Sequence, residues 1–133
     1  MSSQGPNLHV AQAQPAMKGS DALWDVVFRV ANGGGGDVSL LAAWLPHGRF
    51  RCAEISLEGM PPLGTGAETG IAFPVAFDEP PGVVVENCFV ILRVGWQRDV
   101  WRVLARLTVS AGDDGAPAAK TELVTVHLVG FSG

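Results

Sequence analysis

Tyrosine is absent from this chain, lysine and cysteine occur twice each, and charged residues fill only 17% of its 133 positions. Each shortage excludes something. Cys52 and Cys88 lie 36 positions apart, with no CxxC spacing and no neighbouring histidine, so a structural zinc site is ruled out. They could form a disulfide across two sheets or stay as reduced thiols, and reduced thiols are the expectation where no export signal is seen. Scarce lysine and a net charge of −4 argue against nucleic acid and against an anionic membrane surface as partners. No apolar run approaches the ~18 residues that would cross a bilayer. The opening "MSSQGPNLHVAQAQPAMKGSD" has neither a cationic start nor an apolar core, so residence in the cytoplasm is expected.

What the chain does have is apolar alternation and turns. Hydrophobic residues make up 47%, with 17 glycines and 9 prolines, a balance that favours short strands joined by tight turns. The length suits one domain with a real core. From Trp24, the even positions Trp24, Val26, Phe28 and Val30 are apolar, which is the period of a half-buried strand. After Asn32 and four glycines, a second strand over 38–45 is apolar on both faces, Val38, Leu40, Ala42 and Trp44 against Leu41, Ala43 and Leu45, as a central strand should be. Further strands are expected over 49–57 and 69–77, over the pair within 87–109, and over 121–129. Pro74 cannot donate to a ladder, which puts 69–77 at an edge or a bulge. No segment carries a helical period.

These features predict an all-β fold, an antiparallel immunoglobulin-like β-sandwich of seven or eight strands, with a closed barrel as the alternative. A single domain is expected over 21–133. Residues 1–20 are polar and read as a flexible arm whose 8–14 segment can pair at a sheet edge. The run "VVFRVANGGGGDVSLLAAWLP" resembles the opening of immunoglobulin-like adhesion or accessory domains of the CARDB type. That resemblance rests on Val26, Phe28, Val30, Asn32, Gly34, Val38 and Leu40. It implies a non-catalytic binding or spacer module, and no functional residue is transferred by it.

The segment "NCFVILRVGWQRDVWRVLARLTV", 87–109, reads as a hairpin. If Cys88, Val90, Leu92 and Val94 face the core, then Trp101, Val103, Ala105 and Leu107 do so on the second strand. A four-residue loop over 96–99 satisfies both, and it is preferred because Gln97 and Arg98 tolerate positive φ poorly. In this register Arg93 lies opposite Arg102, Ile91 opposite Leu104, and Phe89 opposite Arg106. Like charges face to face call for a counter-charge or a cover. The last strand adds Thr125 and His127 to this face.

Three readings follow for Phe89, Ile91, Arg93, Arg102, Leu104, Arg106 and His127. Arginine stems could shield the apolar residues, with Glu86, Asp99 or Glu122 as local partners. The face could be a protein interface, most simply that of a homodimer. Or it could bind an acidic small molecule or another anion.

Elsewhere the signals are weaker. His47, Arg49 and Arg51 around "PHG" form a secondary cationic corner suited to a carboxylate. "NGGGGD" lacks the lysine and helix of a phosphate loop and reads as a flexible hairpin connection. Trp24, Trp44 and Trp101 fall on expected core faces, whereas Trp96 sits at the hairpin tip. The three histidines are scattered and no nucleophile elbow is present, so no catalytic residue, metal or cofactor is assigned and enzymatic function ranks third.

Overall fold

A computed structural model describes residues 5–129. Nine strands follow one another: β1 (Leu8–Gln12), β2 (Met17–Lys18), β3 (Leu23–Asn32), β4 (Ser39–His47), β5 (Phe50–Ser56), β6 (Glu68–Ala76), β7 (Val84–Trp96), β8 (Asp99–Ala111) and β9 (Pro117–Leu128). They form one antiparallel sheet in the order β1-β3-β6-β5-β4-β7-β8-β9, with β2 beside β3. Strand alternation builds the interior. Trp24, Val26, Phe28 and Val30 of β3 point inward, as do Cys88, Val90, Leu92 and Val94 of β7 and Trp101, Val103, Ala105 and Leu107 of β8. Phe28 meets Phe73 of β6 edge to face at 5.8 Å between ring centroids, and Phe50 meets Phe77 in the same way at 6.0 Å.

The sheet curls until its two ends meet, nearly closing a barrel. Side chains rather than a ladder close the seam. The Gln12 amide lies against β9 much as a peptide group would: its Oε1 accepts from the Ala119 N–H at 2.7 Å and its Nε2 donates to the Pro117 carbonyl at 3.4 Å. Thr121 Oγ1 donates to the Val10 carbonyl at 2.7 Å. On the far side, β5 and β6 share a single residue pair, Arg51 with Ala76. Pro74 therefore sits where β6 has a strand neighbour on one side only.

Several sequence expectations are corrected. The strands number nine rather than seven or eight, because Met17–Lys18 adds a short one. The N-terminal segment is more than an optional edge: β1 pairs with β3 throughout its length, and Leu8 and Val10 are buried in the core. The boundary at 21 falls in the β2–β3 turn. The link from β3 to β4 is not a flexible hairpin, since these strands are not neighbours. It crosses the end of the fold and is pinned there. The buried Asn32 amide donates to the Leu63 carbonyl at 2.8 Å and the Gly36 carbonyl at 2.9 Å, and its Oδ1 accepts from the Gly34 N–H. Trp96 Nε1 donates to the Gly35 carbonyl at 2.8 Å.

The β7–β8 loop is also tighter than expected. Trp96 pairs with Asp99, leaving the two-residue turn Gln97–Arg98, with φ of 50° and 71°. Two 13-residue strands impose this turn because its twist matches theirs, whatever residues occupy it. Holding two side-chain-bearing residues at positive φ costs of order 1 kcal/mol each. The double substitution Gln97→Asn, Arg98→Gly is therefore expected to stabilise the fold by about 1–2 kcal/mol. A guanidinium titration with an unchanged slope and a higher midpoint would show this.

Candidate functional site

The outer face of the β5-β4-β7-β8-β9 portion carries the arginine-lined region. Its rows follow from the registers. Arg93 lies opposite Arg102, which lies opposite His127. Ile91 lies opposite Leu104, which lies opposite Thr125, and Phe89 lies opposite Arg106, which lies opposite Leu123. The face thus brings together all seven of the residues singled out on it. Phe89, Ile91, Arg93 and Leu104 are half-buried, while Arg102, Arg106 and His127 are exposed.

The sequence reading missed Trp44. A register shift between Leu40 and Ala42 inserts one extra residue in β4, so that Ala42 aligns with Arg93 and Trp44 with Ile91. A bulge reverses which residues face outward. Trp44 consequently leaves the core face assigned to it and lies half-buried on the outer face. The result is a transverse apolar row, Trp44, Ile91 and Leu104, ending at Thr125, with arginines on either side. Nothing in composition marks the bulge. Its only sequence signal is that both faces of 38–45 are apolar, which allows either phase.

The counter-charge for Arg93 comes from an unexpected strand. Glu54 Oε2 on β5 accepts from Arg93 Nη2 at 3.3 Å; Glu86, Asp99 and Glu122 do not serve. The ion pair spans β4 and passes beside Trp44. Both groups are substantially exposed, so the pair adds little stability. It does relieve the Arg93–Arg102 repulsion. Among the described residues, Arg102 and Arg106 have no ion pair. The His127 ring forms a hydrogen bond with Thr125 Oγ1 at 3.2 Å.

The secondary corner is closed differently. Arg49 holds Glu79 through two bonds, Nε to Oε2 at 3.0 Å and Nη2 to Oε1 at 2.7 Å. That fork keeps the Glu79 carboxyl below its usual range and the guanidinium above its own. His47 Nδ1 accepts from the Arg49 N–H at 3.0 Å, fixing the ring in the turn. Of the two corner arginines, Arg51 is the one free of an ion pair among the described residues. The carboxylate that this corner could hold is already supplied by Glu79.

Cys52 and Cys88 are free, buried thiols. Burial raises both, that of Cys88 to about 11, so neither is a nucleophile near neutral pH. Among the described residues no cluster of His, Cys, Asp and Glu is suited to a metal ion, and no helix is long and apolar enough to cross a membrane. Protein-family models, curated proteins and solved structures contain no significant match to this chain.

Proposed function

We propose that this chain is a non-enzymatic interaction or accessory module, an immunoglobulin-like β-sandwich that works in the cytoplasm and self-associates through the outer face built on the 87–109 hairpin. The observation that carries the reading is the row Trp44, Ile91 and Leu104, an apolar centre bordered by Arg102 and Arg106, neither of which meets a carboxylate among the described residues. Aromatic residues at the centre with arginine at the rim are the composition that protein interfaces favour. The net charge of −4 leaves the rest of the surface acidic, so a second copy can bring carboxylates to these arginines. The sandwich reading is supported by the single residue pair joining β5 to β6, where the sheet nearly divides in two. The cytoplasmic reading is supported by the two unpaired thiols.

Phe89→Glu sets a carboxylate among apolar residues on this face and beside Arg106, without touching the core. Sedimentation equilibrium should show self-association weakened at least ~30-fold, or about 2 kcal/mol, with the fold intact by circular dichroism. A wild type that stays monomeric at high concentration, or a variant that associates equally well, contradicts the reading.

The free charge of Arg102 favours a second reading, binding of an acidic small molecule. It predicts thermal stabilisation by anionic ligands that disappears in Arg102→Ala. No response to any anion counts against it.

A further inference from the structure

The short strand β2 has its polarity inverted. Lys18 lies opposite Trp24, and opposed residues share one side of a sheet, so Lys18 stands on the inward side. Met17, opposite Asp25, faces out and is 60% exposed. A lysine turned inward beside a methionine turned outward reverses the alternation that builds the core, and conflicts of this kind gather at functional sites. Lys18 stays exposed because β2 lies at the mouth of the nearly closed barrel. Its Nζ sits over the Trp24 ring, 5.5 Å from the centroid, within the range of a cation–π contact.

The same ring belongs to the floor of a cleft of about 690 Å³. Trp24 and Phe77 are buried and form that floor, and Pro80 and Pro81 add an apolar wall. Size, lining and position are those of a small-molecule site in the mouth of a barrel. Asp78, on the β6–β7 loop, and Asp113 and Asp114, on the β8–β9 loop, bring three carboxylates to the rim, and none has an ion pair among the described residues. Glu79 is already held by Arg49. The carboxylates outnumber the one ammonium, Lys18, which meets the indole and forms no ion pair among the described residues. The rim is set in advance. The Gly82 N–H donates to the Ala111 carbonyl at 2.8 Å and the Ala111 N–H to the Val83 carbonyl at 2.9 Å, which ties the two carboxylate-bearing loops together. Asp114 Oδ1 accepts from the Ala116 N–H at 2.9 Å.

We propose that this mouth binds a linear polyamine, with one ammonium over Trp24 in the place that Lys18 holds and the others against Asp78, Asp113 and Asp114. The aromatic floor selects an organic cation. A metal ion gains nothing from that floor, and no cluster of His, Cys, Asp and Glu suited to one exists among the described residues. The alkyl stretches between the ammonium groups cover Phe77, Pro80 and Pro81. Lys18 is then a tethered competitor, which covers the indole until a ligand with more than one positive charge displaces it. The site shares no residue with the arginine-lined face and has the opposite charge.

Calorimetric titration of the full chain with spermidine, a linear amine of three ammonium groups, tests this. The wild type should bind spermidine at least ~tenfold more tightly than Mg2+ at matched ionic strength, because only the amine uses the indole. Asp78→Asn combined with Asp113→Asn should weaken spermidine binding at least ~tenfold. Lys18→Met keeps the stem and removes the competing charge, so it should tighten binding ~fivefold. These three side chains are exposed, and replacing them leaves the core untouched. During the titration the Trp24 indole N–H resonance should move while those of Trp44, Trp96 and Trp101 stay fixed.

A wild type that takes up no spermidine, or that binds Mg2+ as tightly, overturns the proposal by reducing the mouth to an acidic rim. So does a Lys18→Met variant that binds no more tightly than the wild type, since Lys18 then holds no place that the ligand needs. A resonance shift at Trp44 instead of Trp24 puts the amine elsewhere. A trilysine peptide that binds more tightly than spermidine makes the ligand a protein segment and overturns the polyamine. Phe89→Glu should leave the titration unchanged, so the mouth is tested independently of the sheet face.

Discussion

Replacing Asn32 with alanine is expected to lower the unfolding free energy by about 3 kcal/mol. For a chain of this size, that corresponds to a melting temperature lower by about 10 °C. Asn32 is the one buried polar side chain among the described residues, and its amide makes three bonds at the end of the fold. Alanine removes the side-chain partner of the Leu63 and Gly36 carbonyls and of the Gly34 N–H, and the Leu63 carbonyl, buried with the amide, keeps its bond from the Val38 N–H. Asn32→Asp keeps the acceptor but loses both donors, so it should recover little of the loss. A urea titration of the three proteins measures this. If Asn32→Ala loses less than about 1 kcal/mol, the amide does not anchor the crossover.

Phe73→Ala should cost more, about 4 kcal/mol, because it empties the centre of the interior. Phe73 is 1% exposed and packs edge to face on the fully buried Phe28, so alanine loses both the transfer free energy and an aromatic contact. Its own strand, β6, pairs with β3 over nine residues, Leu23 to Ala31 of β3, and this leaves little room for collapse. The same denaturation experiment should show an unchanged slope and a lower midpoint. A loss below about 2 kcal/mol would mean that the interior adjusts around the cavity.

The core-facing pattern was legible because a strand has a period of two. Once Val94 faces inward, pairing it with Trp101 fixes Arg93 against Arg102 and Ile91 against Leu104, and the structure has those pairs. Pro74 was legible for a similar reason, since a missing N–H tolerates few positions. What escaped were single-residue insertions and distant partners. The extra residue near Leu41 turns Trp44 outward, yet any residue can occupy a bulge.

Glu54 and Glu79 meet Arg93 and Arg49 across 39 and 30 positions of chain, distances over which local pattern says nothing. The 8–14 segment reads as one that can pair at a sheet edge, and β1 does so; its share in the core was less legible, because only Leu8 and Val10 point inward from it. Gln97–Arg98 was misjudged because propensity favours a longer loop, whereas the twist of two long strands decided the turn.

The central claim is that the outer sheet face is a contact surface, and the three isoleucines of the chain allow a direct test. Ile91 lies on that face, Ile71 is buried in the core, and Ile55 lies half-buried on β5. In a methyl-labelled sample diluted from millimolar to micromolar concentration, the Ile91 δ1 resonance should shift or broaden while that of Ile71 stays fixed, and Phe89→Glu should abolish the change. An Ile91 resonance that stays fixed while the particle mass rises with concentration would place self-association elsewhere on the molecule and contradict the account.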